Sequence, residues 1–410
     1  MKRFKTRFSM MGKLQLAVLA LALCLTSGTA SAFDFDVEGT KVTLGGYLKV
    51  MLNYDFNGAL NNNTNHPTDG DIINAYDAPL DGTTYEDEND FGMTTRESRV
   101  FLKTATDSDV GLITTHFEGD FNGDVGGSPS WSNSRTFRLR HAYGVIHMGQ
   151  NTILAGQTWS TMMDFAAAVP VMDLSSDPGV VFVRQPQVRF QHNFDKGHFF
   201  ALAMENPARG LTANGNGPLL INSETKSADT MPDLIAKYFW GTKNFHLSPA
   251  VLVRRFELDG KSSMAWGSSL TGHIGFGKGH TFYGGVLYGD GMGRYGGLGL
   301  NTGAGLTASG DIETVSYMGY NSGFTFKLKD NLAWTLGCGY SENDEDAYTG
   351  SDAVLTGSAS KEAFSYHTNL VWNINKSLEY AVGFISMKQK VMDDREGDLM
   401  RVQNYVKFSF

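Results

Sequence analysis

Residues 401–410 read RVQNYVKFSF, and the alternation of apolar and polar side chains in this segment decides the fold. Four apolar side chains share one parity of this segment: Val402, Val406, Phe408 and Phe410. Four polar side chains share the other: Arg401, Gln403, Lys407 and Ser409. Successive side chains of a β-strand point to opposite faces, so the segment has one apolar face and one polar face. We interpret it as the closing strand of a transmembrane β-barrel, with lipid outside and water inside.

The first 32 residues have the pattern of a secretory signal peptide. Five basic residues open it: Lys2, Arg3, Lys5, Arg7 and Lys13. An apolar run follows over residues 14–25, and residues 30–32 (Ala-Ser-Ala) provide a small-residue cleavage site. The apolar run is too short to predict a membrane-spanning helix. The predicted organisation is therefore a signal peptide at 1–32 and one barrel domain at 33–410.

We predict sixteen strands from alternation and segment length. Their approximate bounds are 40–56, 93–105, 110–121, 134–148, 152–158, 185–194, 198–205, 232–240, 244–257, 262–276, 280–288, 311–328, 332–341, 361–373, 377–391 and 397–410. The predicted fold class is all-β: a transmembrane antiparallel β-barrel of about sixteen strands, wide enough for an aqueous channel. Counts of fourteen and eighteen strands stay open as alternatives.

The links between these strands alternate in length. Links after even-numbered strands are short and rich in turn residues, as at 107–109 (Asp-Ser-Asp) and 277–279 (Gly-Lys-Gly). Links after nearly every odd-numbered strand are long: 57–92, 122–133, 159–184, 206–231, 289–310 and 342–360. Short turns on one rim and long loops on the other are typical of outer-membrane barrels of Gram-negative bacteria.

The composition supports a barrel and argues against other classes of protein. The chain has 48 glycines, 27 phenylalanines and 16 tyrosines, which suits closely packed strands with aromatic girdles. The formal net charge of −9 argues against nucleic acid as a partner. The sequence shows no legible catalytic triad and no Cys/His metal spacing. We therefore expect neither enzyme activity nor a cofactor.

Arginine is concentrated in one part of the chain. Seven arginines lie between residues 96 and 189: Arg96, Arg99, Arg135, Arg138, Arg140, Arg184 and Arg189. Alternation with lipid-facing apolar residues points eight charged side chains of this region into the lumen: Glu97, Arg99, Lys103, Glu118, Asp120, Arg138, Arg140 and Arg189. The sequence therefore predicts a basic stripe along one side of the lumen, with Glu118 and Asp120 beside it.

Two interpretations of this stripe stay open. The functional one is a wall that attracts anions, because a guanidinium matches a carboxylate in two-point contact and keeps its charge. Such groups in a narrow pore lower the barrier for anions. The alternative is a lattice of cross-strand ion pairs that stiffens the barrel. The two roles are compatible, and we expect part of the stripe to meet the solute.

The link 159–184 is more apolar than the other long loops. Thr161 and Asp164 have the spacing of a capping box, and Pro170 would end a short helix after them. We interpret the link as a loop folded into the lumen, where its acids would face the arginines and set a transverse field. Four residues are assigned to this constriction loop: Trp159, Asp164, Asp173 and Asp177. The alternative is an ordinary outer loop with one helical turn.

Two long links are strongly acidic. Link 57–92 holds eight acidic residues and link 342–360 holds five, and neither contains Lys or Arg. Solvated surface is the simpler interpretation. The alternative is a site for divalent cations that bridge lipopolysaccharide, although no Asp/Asn/Gly spacing here matches a calcium loop.

Several ordered motifs resemble those of the DcaP-like outer-membrane porins. They are Arg99, residues 138–143 (Arg-Leu-Arg-His-Ala-Tyr), residues 156–160 (Gly-Gln-Thr-Trp-Ser) and residues 184–189 (Arg-Gln-Pro-Gln-Val-Arg). The resemblance runs from about residue 44 to the end and is specific mainly over 90–195. It implies a trimeric sixteen-stranded channel for small anions, above all dicarboxylates. It also implies that four arginines lie at or near the eyelet: Arg138, Arg140, Arg184 and Arg189.

One departure from that family bears on assembly. Some members carry a helical coiled-coil extension before the barrel, whereas residues 33–36 here lead almost directly into the first strand. We therefore expect a homotrimer to form through the barrel walls alone. The other expected partners are small anionic solutes, outer-membrane lipid and lipopolysaccharide, and the barrel-assembly machinery, which would recognise the strand ending in Phe410.

The leading hypothesis is a passive diffusion porin with a preference for anions. The alternative is a barrel that transports nothing, either a structural envelope protein or an adhesin that uses the acidic loops. Conductance steps in a planar bilayer would separate the two. An outer-membrane enzyme is the third possibility. Hydrolase activity that disappears when one Ser or His is mutated would support it.

Overall fold

The structure is a computed structural model. It describes residues 32–56, 58, 75–83, 86–123, 132, 134–173, 177–207, 211–212, 230–242, 244–297, 303–349 and 354–410. The predicted signal peptide up to residue 31 lies outside the described residues, as do most of the acidic link 57–92 and residues 350–353 of the link 342–360.

Sixteen antiparallel strands form a closed barrel, as the alternation predicts. They are β1 Thr40–Phe56, β2 Arg99–Ser108, β3 Gly111–Asp120, β4 Arg138–Met148, β5 Asn151–Trp159, β6 Arg184–Asn193, β7 Phe199–Glu205, β8 Asp233–Thr242, β9 Phe245–Leu258, β10 Lys261–Phe276, β11 His280–Asp290, β12 Ser316–Lys329, β13 Leu332–Asn343, β14 Ser360–Asn373, β15 Leu378–Val391 and β16 Glu396–Ser409. Each strand pairs with the next along the chain, and β16 pairs with β1. Within the described residues, no helix is long and apolar enough to cross a membrane.

The closing pair β1–β16 contains the segment that decides the fold. Leu48 lies opposite Phe408 in the register, and the Phe410 amide donates to the Gly46 carbonyl at 3.0 Å. On the inner face Arg401 forms a buried ion pair with Asp55, with Nη2 2.7 Å from Oδ2. The polar parity of β16 therefore faces inward.

Large apolar side chains cover the outer face of the wall and polar ones the inner face. Phe117, Leu139 and Val188 are each at least two-fifths exposed, as a face in contact with lipid requires. Glu118 and Gln187 are adjacent to these residues along the chain, point the other way and are buried. This alternation gives the barrel its inside and its outside.

Two predicted strands differ from the observed ones. The segment 93–105 is split into a short strand Asp90–Thr94 and β2, because residues 95–98 turn so that Ser98 Oγ accepts from the Lys49 amide at 3.0 Å. The segment 311–328 contributes Ile312–Thr314 to a separate three-stranded sheet with Leu211–Thr212 and Ala304–Leu306 before β12 begins. The other bounds agree within a few residues.

Further short elements lie outside the barrel strands. A strand Phe33–Val37 pairs with the start of β1. Single helical turns occur at Ala75–Asp77, Asp195–Gly197, Gly293–Gly296 and Asp346–Thr349. The link from β9 to β10 is a two-residue turn in which Asp259 and Gly260 both have positive φ, the geometry of a tight β-hairpin.

Candidate functional site

An arginine-rich network occupies the inner face of β2, β3 and β4. Asp120, fully buried, accepts two hydrogen bonds from Arg138, at 2.9 and 2.8 Å, and one from Arg140 at 3.0 Å. Glu118 Oε1 lies 2.8 Å from Arg140 Nε and 3.3 Å from Arg99 Nη1. Two carboxylates thus hold three guanidiniums in place by charge-assisted bonds. The cross-strand lattice considered for these residues is present.

A β-bulge places an additional residue on this inner face. Pairing shifts between Glu118 and Gly119, so that Glu118 lies opposite His141 while Gly119 lies opposite Leu139. Arg140 and His141 are consequently both buried on the inside, although strict alternation would point His141 outward. The apolar residues in and just before β4 change parity here, from Phe137 and Leu139 to Ala142 and Ile146. That change is the sequence signal that could have predicted the bulge.

The extra residue joins a polar and aromatic group. His141 Nδ1 lies 3.0 Å from Thr158 Oγ1, and its ring stacks on His116 with centroids 5.3 Å apart. Tyr143 OH lies 3.3 Å from His116 Nδ1. The sequence analysis did not assign His141 or Tyr143 to the lumen.

Arg184 extends the network from the start of β6. Its guanidinium lies over the Trp159 ring at 4.6 Å, and Arg140 lies 5.9 Å from the same ring. Within the described residues Arg184 Nη1 and Arg99 Nε are buried without an acceptor. The network carries two more positive than negative charges. It contains four arginines, Arg99, Arg138, Arg140 and Arg184, and two acids, Glu118 and Asp120. We call these six residues the arginine wall.

The other two predicted basic residues lie apart from the arginine wall. Lys103, on β2, is exposed and its Nζ lies 4.8 Å over the Phe101 ring. Arg189 is half-buried on β6, on the same strand face as buried Gln187. Neither forms an ion pair within the part of the chain that the structure describes.

The described residues 160–173 and 177–183, which we call the inner segment, follow Trp159 and contact inward-facing side chains of many strands. Lys237 of β8 donates to the Met163 carbonyl at 2.8 Å, and Asn369 of β14 donates to the Pro170 carbonyl at 2.9 Å. Lys49 of β1 donates to the Met172 carbonyl at 2.6 Å. The inner segment therefore lies against the inside of the wall. Its role as a constriction stays a prediction.

The acids of the inner segment bond to the wall. Asp164 Oδ2 accepts from His246 Nε2 at 2.8 Å and from Thr271 Oγ1 at 2.7 Å. Burial raises the pKa of this carboxyl, but the hydrogen bonds from His246 and Thr271 and the charge of Lys237 outweigh burial and hold the pKa below its usual value. The charge of Asp164 is thus used to anchor the segment.

The two later acids are anchored in the same way. Asp173 Oδ2 accepts from Gln403 at 2.7 Å. Asp177 Oδ1 accepts from Ser365 Oγ at 2.7 Å and lies 3.1 Å from His367 Nδ1. Their carboxylates are therefore hydrogen-bonded to strands β14 and β16. The transverse field that the sequence analysis expected between these acids and the arginines stays a prediction.

The predicted short helix after Thr161 is a single turn. Asp164 O accepts from the amides of Ala167 and Ala168, but the side chains needed for a capping box are used elsewhere. Thr161 Oγ1 bonds to Gln187 at 3.1 Å, and the Asp164 carboxylate bonds to the wall. Contacts with the wall therefore outweigh the local helical preference.

Glycines on the inner face allow the inner segment to approach closely. A Cβ at Gly339 of β13 would collide with the Pro178 carbonyl oxygen, and one at Gly323 of β12 would meet the methyl groups of Val169. Some of the strand glycines are thus explained by the inner segment, which lies so close to the wall that a larger side chain would not fit.

A cavity of about 500 Å³ separates the arginine wall from the inner segment. The wall contributes Arg99, Glu118, Arg140 and, beside it, His141 and Trp159. The inner segment contributes mainly apolar groups: Phe165, Ala168, Val169, Pro170, Val171, Val180 and Phe182, together with Asp173 and Asp177. Across the described ranges, no group of three or more His, Cys, Asp or Glu residues is arranged to hold a metal ion.

The sequence model of one protein family, described as DcaP outer membrane protein, matches residues 13–410. The chain belongs to the DcaP outer membrane protein family. The resemblance inferred from the motifs between residues 90 and 195 is therefore confirmed, and so is the predicted location in the outer membrane. A comparison with curated proteins finds no match.

Solved structures show the same fold at low sequence identity. The outer membrane channel DcaP of Acinetobacter baumannii is 22% identical, with a TM-score of 0.76 over 92% of this chain and 99% of that one. OmpF of Salmonella typhi, solved with daunomycin, is 11% identical, with a TM-score of 0.57 over 92% and 100%. The trimer form of OmpT of Vibrio cholerae is 9% identical, with a TM-score of 0.55 over 91% and 100%. This member of the DcaP outer membrane protein family thus has the barrel fold of outer-membrane porins.

Proposed function

We propose that this DcaP-family barrel is a passive diffusion channel for small hydrophilic solutes with a preference for anions, dicarboxylates included. The observation that carries the proposal is the excess of two positive charges in the arginine wall beside an internal cavity. Fixed guanidiniums attract anions and repel cations, and a confining low-dielectric wall strengthens both effects.

The reversal potential in a planar bilayer under a KCl gradient tests this proposal. We expect conductance steps and anion selectivity for the full-length barrel. Replacing Arg138 and Arg140 together with Ala removes two positive charges and shifts the reversal potential toward cation selectivity. The double substitution also removes both arginine partners of buried Asp120, so folding of the variant must be checked. Heat-modifiable migration on gels provides that check.

The matched control is Arg395→Ala, since Arg395 is a partly exposed arginine paired with Asp393 in the turn between β15 and β16. Its reversal potential should equal that of the unmodified protein. Cation selectivity of the unmodified protein would refute the anion preference. Absence of conductance steps would favour the structural or adhesive alternative.

We also propose that three copies assemble through their barrel walls. Support comes from the barrel fold shared with OmpT, whose structure is described in a trimer form. The mass of the protein in detergent, measured by light scattering, should correspond to three chains. Contacts with lipopolysaccharide, and recognition of Phe410 by the barrel-assembly machinery, stay predictions.

A further inference from the structure

The cavity between the arginine wall and the inner segment has chemically different sides. Arg99 and Arg140 line one side with positive charge. The other side is formed mainly by aromatic and aliphatic side chains of the inner segment. A cavity of about 500 Å³ falls within the usual size range of small-molecule sites.

An exposed aromatic side chain lies on the apolar side. Phe165 is 51% exposed, although it belongs to the inner segment and not to the lipid-facing surface. Its ring packs edge-on against Trp159 at 4.7 Å, and Phe182 lies 4.6 Å from the same indole. The three rings form an aromatic surface beside the arginine wall, because Arg140 and Arg184 both lie over Trp159.

Two acids, Asp173 and Asp177, lie on the apolar side of the cavity. The carboxylates of Asp173 and Asp177 bond to Gln403, Ser365 and His367 on the wall behind them. On the opposite side, Arg99 Nε and Arg184 Nη1 are buried without an acceptor among the described residues. Positive charge and spare donors are therefore concentrated at one end of the space.

We propose that this cavity binds anions with a single carboxylate and an aromatic body in preference to compact or doubly charged carboxylates. The inference rests on the proposed function and names the solutes that the channel retains best. The carboxylate takes two-point contact from the arginine wall, and the ring packs on Trp159 and Phe165. A second carboxylate on the solute would lie against apolar side chains and beside the carboxylates of Asp173 and Asp177, and that arrangement disfavours binding.

Inhibition of chloride current in planar bilayers tests the proposal on the full-length barrel. Sodium benzoate, sodium acetate and sodium succinate are compared at equal ionic strength. We expect benzoate to halve the chloride current at a concentration about three- to tenfold lower than acetate or succinate, the range expected for one aromatic contact. Phe165→Ala should remove most of this difference, since it deletes the exposed ring.

Phe121→Ala is the matched control, because Phe121 is 44% exposed on the outer face of the wall. It should keep the benzoate preference. Equal inhibition by benzoate and acetate, or a benzoate preference unaffected by Phe165→Ala, would overturn the inference. An anion-selective channel without benzoate preference would leave the proposed function standing, whereas a cation-selective channel would overturn both.

Discussion

The arginine wall and the strands that carry the inner segment both bury polar side chains, but they use them differently. On β2–β4, carboxylates and guanidiniums pair between neighbouring strands, as in Asp120 with Arg138. On β8–β16, polar side chains are directed to the inner segment, as in Asn321 of β12, which donates to the Gly179 carbonyl at 2.9 Å. One side of the lumen thus retains net charge, and the other uses its polar groups to hold a loop.

Polar side chains are directed to the inner segment because burying backbone amides and carbonyls without hydrogen-bond partners costs free energy. A segment without regular secondary structure carries amides and carbonyls that need partners once water is excluded. Lys237, Asn369 and Lys49 satisfy carbonyls of the inner segment at widely separated points. These side chains therefore support the inner segment, whereas the excess of positive charge lies in the arginine wall.

The largest expected effect of breaking this arrangement follows from Asp120→Asn. The substitution removes the buried charge that fixes Arg138 and Arg140, so two guanidiniums lose compensation inside the barrel. We expect the free energy of unfolding to fall by about 3–5 kcal/mol, as for other broken buried pairs. Urea denaturation in detergent, followed by tryptophan fluorescence, measures the change.

Asp311→Asn provides the control for that experiment. Asp311 pairs with Lys261 on the surface at 2.9 Å and is well exposed, so its loss should change stability little. Equal denaturation midpoints for the two variants would contradict a structural role for Asp120.

A smaller effect is expected from Gly339→Ala, which acts on the other side of the lumen. Its new methyl group would collide with the Pro178 carbonyl and push the inner segment from β13. Overpacking of this kind costs about 1–3 kcal/mol. We expect faster cleavage of the inner segment by an added protease and a noisier single-channel current.

Gly92→Ala is the matched substitution, because no heavy atom lies within 4 Å of the position of its Cβ. It should behave as the unmodified protein does. If Gly339→Ala is as resistant to protease as Gly92→Ala, the inner segment does not depend on close approach to β13.

The barrel could be predicted because its signals are local. Alternation over ten or more residues, as in β16, and the turn residues between strands each report on their own neighbourhood. The details that no local pattern reports involve distant partners. The sequence gives no sign that Asp177 bonds to His367, because the two lie 190 positions apart. His141 was missed because one bulge reverses the parity of β4.

The arginine wall is predicted in part by local patterns and depends in part on distant contacts. Alternation predicted that Arg138, Arg140 and Glu118 point inward, and they do. The cluster's relation to Trp159 and Phe165 depends on how the inner segment lies against the wall, which no local pattern reports. The sequence therefore predicts which residues of this cluster share the inner face of the wall, but not the apolar surface opposite them.

The asymmetry of the lumen is tested most directly by comparing the reversal potentials of Arg99→Gln and Asp164→Asn under one KCl gradient. Arg99 lines the cavity, whereas Asp164 is bonded to His246 and Thr271 on the wall. We predict that Arg99→Gln lowers the anion-to-cation permeability ratio about two- to fivefold, as expected for one charge about 4 Å from an ion in water. Asp164→Asn should change the ratio by clearly less. A shift for Asp164→Asn as large as that for Arg99→Gln would contradict the account.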